Sequence, residues 1–149
     1  MIKTFRGLIA DGGQDTIPLK TNDGSVGYRI KLFQAMAHLP GTQDTEGTLQ
    51  IWKVKQTTVS TTTATVDFSD QTLLGALYYV EDKSATYNVA NPLAVIFDRE
   101  IFNQDIYITF VETTSTQKMN YYLELEQIKL DLNENTVATL KDIRNITAP

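Results

Sequence analysis

Glu124 and Glu126 stand two residues apart in the stretch NYYLELEQIKLDL, residues 120–132. On an extended chain such residues share a face, with Cα atoms about 6.6–6.8 Å apart. The carboxylate pairs that cleave glycosidic bonds are separated by roughly 5–9.5 Å. Spacing alone therefore permits general acid–base chemistry. One carboxyl must also keep its proton near neutral pH, through desolvation or a close like charge. Tyr122 leads the face that carries the two glutamates, whereas Tyr121, Leu123 and Leu125 make the opposite, apolar face. The apolar face is the core side, so both glutamates are expected on the solvated side, ionised in the ordinary way. After Gln127 the apolar phase moves to Ile128, Leu130 and Leu132. That change predicts a β-bulge near Glu126–Gln127, because a one-residue slip exchanges the faces of a strand.

Other chemistries lack their parts. His38 is the only histidine, beside the Pro40–Gly41 turn, and no cysteine is present. A zinc site draws on several such ligands, and no G-x-S-x-G elbow offers His38 a serine partner. The segments DGGQD (11–15) and NDG (22–24) carry oxygens that suit calcium but do not follow the calcium-loop spacing. Aspartate beside glycine is also ordinary turn chemistry. DGG does not match a phosphate-binding loop. The expectation is a non-enzymatic chain with no catalytic residue, no metal and no cofactor. Trp52, Tyr78 and Tyr79 suit a sugar-stacking platform or a protein interface, although aromatic residues in strands more often make cross-strand pairs or pack in a core. Tyr87, in the loop 82–91, is the first interface candidate, since tyrosine buries its ring while its hydroxyl still bonds.

The elements that must position these residues are strands. Period-two alternation runs through YRIKLFQAM (28–36), placing Tyr28, Ile30, Leu32 and Met36 on one face. In DIYITFV (105–111), Ile106, Ile108 and Phe110 share a face. LAVIF (93–97) is apolar throughout and is expected to be covered on both faces. Eight or nine strands are predicted, at about 2–9, 16–21, 26–37, 48–57, 63–68, 76–81, 93–98, 105–112 and 119–130. Asp23–Gly24 is a candidate tight hairpin, and Pro18 marks its strand as an edge. The threonine-rich tract TTVSTTTATV (57–66) fits a polar edge strand or loop. SDQTLLGA (69–76) opens on cap-type residues and suits one or two helical turns. Leu132, Val137, Leu140 and Ile143 lie near helical spacing, and Asp131 with Glu134 forms a loose capping box, so a helix is predicted at about 132–144. The expected fold is all-β: one domain over 1–149, an antiparallel β-sandwich of eight or nine strands, jelly-roll-like in one winding, with one C-terminal α-helix.

The net charge of −5 opposes binding to a phosphate backbone, and no cluster of lysine and arginine offsets it. No apolar run approaches the roughly 18 residues of a membrane helix. The opening MIKTFRGLIADGG lacks the apolar core of a secretion signal. A soluble, unprocessed chain with neither nucleic acid nor membrane as partner is expected.

Three stretches carry a resemblance. TNDGSVGYRIKLFQAM (21–36), IFDREIFNQDIYIT (96–109) and NYYLELEQIKLDLNENTVATLKDIRN (120–145) resemble small virion structural proteins of marine tailed phages. The resemblance covers over a third of the chain, in strands and a helix. It implies a location in the virion and, given the small size, a capsid decoration or cement protein that binds other virion proteins and itself. A tail or baseplate component is the alternative within that set. A carbohydrate- or receptor-binding β-sandwich is the alternative outside it.

Overall fold

A computed structural model describes residues 1–19, 25–83, 93–97 and 100–130. Among them run eight strands and one short 3₁₀ turn: β1 (Ile2–Ile9), β2 (Gln14–Ile17), β3 (Val26–Ala37), β4 (Thr45–Trp52), the turn Thr61–Ala64, β5 (Leu73–Glu81), β6 (Leu93–Ile96), β7 (Ile106–Glu112) and β8 (Met119–Lys129). All strand pairs are antiparallel, in a three-stranded sheet ordered β1-β8-β3 and a five-stranded sheet ordered β2-β7-β4-β5-β6. First pairs with last and second with second-to-last, which is the nested winding of a jelly roll. β6 bonds to β5 on the larger sheet while also approaching β3. No helix among the described residues is long and apolar enough to cross a membrane.

The two sheets close on one apolar core. Tyr28, Ile30, Phe33, Leu123 and Leu125 from the smaller sheet meet Leu49, Ile51, Leu77, Ile106, Ile108 and Phe110 from the larger. Gly47 makes room for the Phe110 ring, since a Cβ there would lie 2.4 Å from Phe110 Cε1. Tyr121, lying over Gly7, donates from its hydroxyl to Asp15 Oδ2 at 2.8 Å and so ties β8 to β2 across the sandwich.

Eight predicted strands exist, and β1 and β3 match their expected bounds. The ninth, at 63–68, does not form. Its hydroxyls bond locally instead. Ser60 Oγ accepts from the Thr62 backbone, and Thr63 Oγ1 accepts from the Ser60 N–H at 3.0 Å. Side chains that offer the backbone nearby partners compete with a ladder. The resulting loop lies against the larger sheet, where the Gln50 side-chain amide donates to the Thr63 carbonyl. The predicted helical turns at 69–76 are likewise absent. Asp67 and Asp70 each accept the backbone N–H two residues on, at 2.9 Å, making successive turns that end where β5 begins.

Three readings of face and register are corrected. The bulge lies on β3, between Ile30 and Leu32, while the β1–β8 register runs unbroken through Glu126. The extra residue, Lys31, flips the phase of β3. Phe33 and Ala37 are therefore buried and Met36 is exposed. LAVIF is not covered on both faces, because β6 is an edge and Leu93 is 66% exposed. Pro18 follows β2, which is indeed an edge strand. The predicted helix at 132–144 and the Asp23–Gly24 hairpin lie outside the described residues.

Candidate interaction surface

The outer face of the smaller sheet is built from alternate residues of three strands. Register places Ile2, Glu126 and Arg29 in one row. Thr4, Glu124 and Leu32 form the next, followed by Arg6, Tyr122 and Gln34, and then Leu8, Asn120 and Met36. The glutamates therefore share the solvated face, as their alternation requires. Arg29 Nε donates to Glu126 Oε2 at 2.7 Å. That hydrogen bond holds the Glu126 carboxyl below its ordinary range, with Lys31 and the N-terminus adding positive potential. Glu124 accepts from the Tyr122 hydroxyl at 2.8 Å, which raises the pKa of that phenol. A general acid needs a carboxyl shifted upward. Glu126 is shifted the other way.

Arg6, Gln34, Met36, Asn120 and Tyr122 line an open groove of about 660 Å³ on this face. Its polar groups are one guanidinium, two amides and a phenol, set over the backbone of Gly7 and Ala35. Apolar side chains extend the surface: Met36 is 61% exposed, and Ile2 and Leu8 are also exposed. Isolated exposed apolar groups are ordinary on a protein. Here they border one face and one edge.

The aromatic candidates separate. Trp52 is 7% exposed, and its indole Nε1–H donates to Thr109 Oγ1 at 2.9 Å. Tyr79 is buried, with its hydroxyl on Glu81 Oε2 at 3.0 Å, and burial raises its pKa. Both are interior residues, so the interface role considered for them gives way to the core role. Tyr78 is 43% exposed and donates to Glu46 Oε1 at 2.6 Å. It remains accessible on the outer face of the larger sheet. Tyr87 lies outside the described residues.

The remaining acidic groups near the strand ends serve the fold. Glu112 Oε1 accepts from the backbone N–H groups of Glu46, Thr114 and Ser115 and from the Thr114 hydroxyl. Asp11 Oδ1 accepts from the Glu112 N–H at 2.9 Å. Among the described residues no three His, Cys, Asp or Glu side chains converge on a point that could hold a metal. His38 is exposed just past β3, with its backbone N–H on the Lys118 carbonyl.

Sequence reasoning missed the groove. Arg6, Gln34 and Asn120 sit on three strands and meet only through register. No local pattern in the chain joins them. No protein-family model, no curated protein and no solved structure matches this chain.

Proposed function

We propose that this chain is a structural subunit of a phage virion that acts by protein–protein contact and performs no catalysis. Capsid decoration is its most fitting place, with a tail or baseplate position as the alternative. The observation that carries the reading is the outer face of the smaller sheet. It leaves Ile2, Leu8 and Met36 exposed beside an open groove and beside β1, which is an edge strand among the described residues. Apolar groups on a surface rimmed by polar ones suit a partner protein. The carboxylates considered for chemistry are engaged by Arg29 and Tyr122. In a particle, symmetry repeats each contact, so a modest interface suffices through avidity. Jelly rolls recur in viral capsid and lectin domains, which is an analogy of fold alone.

The test is co-sedimentation of the purified chain with capsids and tails of a marine tailed phage, followed by pull-down of the separate particle proteins. Saturable binding to one particle component, weakened by Met36→Asp, is expected. Absence of binding to every particle protein overturns the proposal.

A second reading, a carbohydrate-binding module, draws on the groove itself. Arg6, Gln34, Asn120 and Tyr122 offer the planar donors and the ring that sugar hydroxyls engage. A glycan array separates the two: glycan binding lost in Asn120→Ala, with no binding to particle proteins, would favour this alternative.

A further inference from the structure

Four strands form the sheet edges, and three of them are blunted. β3 carries the bulge at Lys31, and Phe102 already occupies its edge through backbone bonds in both directions with Tyr28. β2 has four residues and runs into Pro18, while β6 has four. β1 has eight residues, pairs with β8 without a register shift and, among the described residues, has no strand on its other side. A long, regular, unbulged edge is a template for another strand.

The hydrogen-bond parity of β1 shows which backbone groups are free. Gln127 N–H donates to the Met1 carbonyl, so odd-numbered residues of β1 bond to β8. The N–H and C=O groups of Ile2, Thr4, Arg6 and Leu8 therefore point away from the sheet. A second β1 lying antiparallel can bond to them only with even residues opposite even ones. A two-fold axis must then pass through a residue, and near the middle of the strand that residue is Thr4, Phe5 or Arg6.

Side chains decide among the three. An axis at Arg6 sets two guanidinium groups against each other, and like charges directly opposite destabilise a pair. An axis at Thr4 places Ile2 against Arg6 of the partner subunit and leaves Leu8 beyond the pairing. An axis at Phe5 places Ile2 against the partner's Leu8 and Thr4 against the partner's Arg6, and sets Lys3 opposite the partner's Gly7. It joins the exposed apolar ends of the strand, with Ile2 47% and Leu8 42% exposed, and brings the half-buried Phe5 rings together.

We propose that β1 pairs with β1 of a second copy about a two-fold axis at Phe5, joining the smaller sheets of the two copies into one. The proposal is independent of the virion reading, because a dimer forms or fails to form in the pure protein. Eight residues span about 26 Å, and an edge contact of this length belongs with the smaller specific interfaces. The dimer is therefore concentration-dependent. Its groove residue Arg6 lies at the seam, so the two grooves face each other across the axis.

The cysteine-free chain allows a direct test. Positions 2 and 8 are too far apart in one strand to join, but in this register Ile2 and the partner's Leu8 bring their Cα atoms within about 5.5 Å, inside disulfide range. Oxidation of the Ile2→Cys/Leu8→Cys variant is expected to give a covalent dimer, and neither single variant is expected to do so. Light scattering of the wild type should rise with concentration toward twice 16.7 kDa. Thr4→Pro removes an N–H that points to the free edge and spares the β8 ladder, so it should abolish the rise while far-UV circular dichroism stays unchanged. A wild type that remains monomeric at millimolar concentration overturns the proposal. So does a dimer that persists in folded Thr4→Pro. Should Thr4→Pro not fold, the disulfide pattern decides alone, and equal cross-linking by the single variants overturns the register.

Discussion

Gly47→Ala tests whether the core is as tightly packed as the distances around Phe110 indicate. A Cβ at this position would stand 2.4 Å from Phe110 Cε1 and 3.0 Å from Cζ. Phe110 is fully buried, so its ring has no open space to enter. The backbone of Gly47 cannot retreat either, because β4 is bonded to β5 on one side and β7 on the other. Overpacking of this kind costs about 1–3 kcal/mol. Replacing glycine also restricts the unfolded chain, which returns about 0.4–1 kcal/mol. The net expectation is destabilisation by about 1–2 kcal/mol, or a Tm lower by about 2–8 °C for a chain of this size. Urea unfolding measures it. Phe110→Leu supplies the control, since the smaller side chain vacates the space that the added methyl group needs. The double variant should be less destabilised than the sum of the singles by about 1 kcal/mol. A neutral Gly47→Ala, or an additive cycle, would refute the close approach of these two residues.

Tyr121→Phe removes the hydroxyl that joins β8 to Asp15 and should cost about 1–2 kcal/mol in chemical unfolding. Burial, with Asp15 adding to it, raises the Tyr121 pKa. The raised phenol contributes stability below the ordinary tyrosine pKa of about 10 that declines as pH rises above it. Alkaline titration should thus destabilise the wild type more steeply than Tyr121→Phe. Glu126 is the opposite case, its pKa lowered chiefly by Arg29. Its contribution is present above the ordinary glutamate pKa and disappears as pH falls through the lowered value. The stability difference between wild type and Glu126→Gln should accordingly shrink in acid, and a difference independent of pH would contradict the ion pair. Glu112→Ala leaves three backbone N–H groups without their acceptor, so a loss of about 2–4 kcal/mol is expected, read as a lower urea midpoint at unchanged slope.

Alternation in the chain was enough to locate most strands, because a half-buried strand writes its period of two directly into residue type. On β7 Thr109 and Val111 are buried along with Ile106, Ile108 and Phe110, so that strand is covered on both faces where its alternation predicted one, whereas on β8 Tyr121, Leu123 and Leu125 alternate as their burial does. The solvated placement of Glu124 and Glu126 follows from that alternation. Local signals failed where two local outcomes compete. Threonine favours extended backbone, yet Ser60 and Thr63 satisfied the backbone within the loop and no strand formed. Asp67 and Asp70 began turns where the sequence suggested a helix.

Pairing across the chain lay beyond any local signal. The sequence of β8 predicts a bulge near Glu126–Gln127, but the bulge lies at Lys31 on β3, a strand whose residues read as keeping one phase, and how β3 and β8 align decides it. Trp52 is an interior residue whose partner, Thr109, comes from another strand, whereas Tyr79 bonds to Glu81 on its own strand and is interior because the packing of the sheets buries that face of β5. The groove needs Arg6, Gln34 and Asn120 side by side, although they lie far apart in sequence. Which edge stays open was equally undecidable from residue type. β1 reads like any other alternating strand, and only the sheet order, with β8 on one side and no strand on the other among the described residues, turns the backbone groups of Ile2, Thr4, Arg6 and Leu8 away from the sheet. Side-chain period is a property of the residues, whereas neighbourhood is a property of the closed fold.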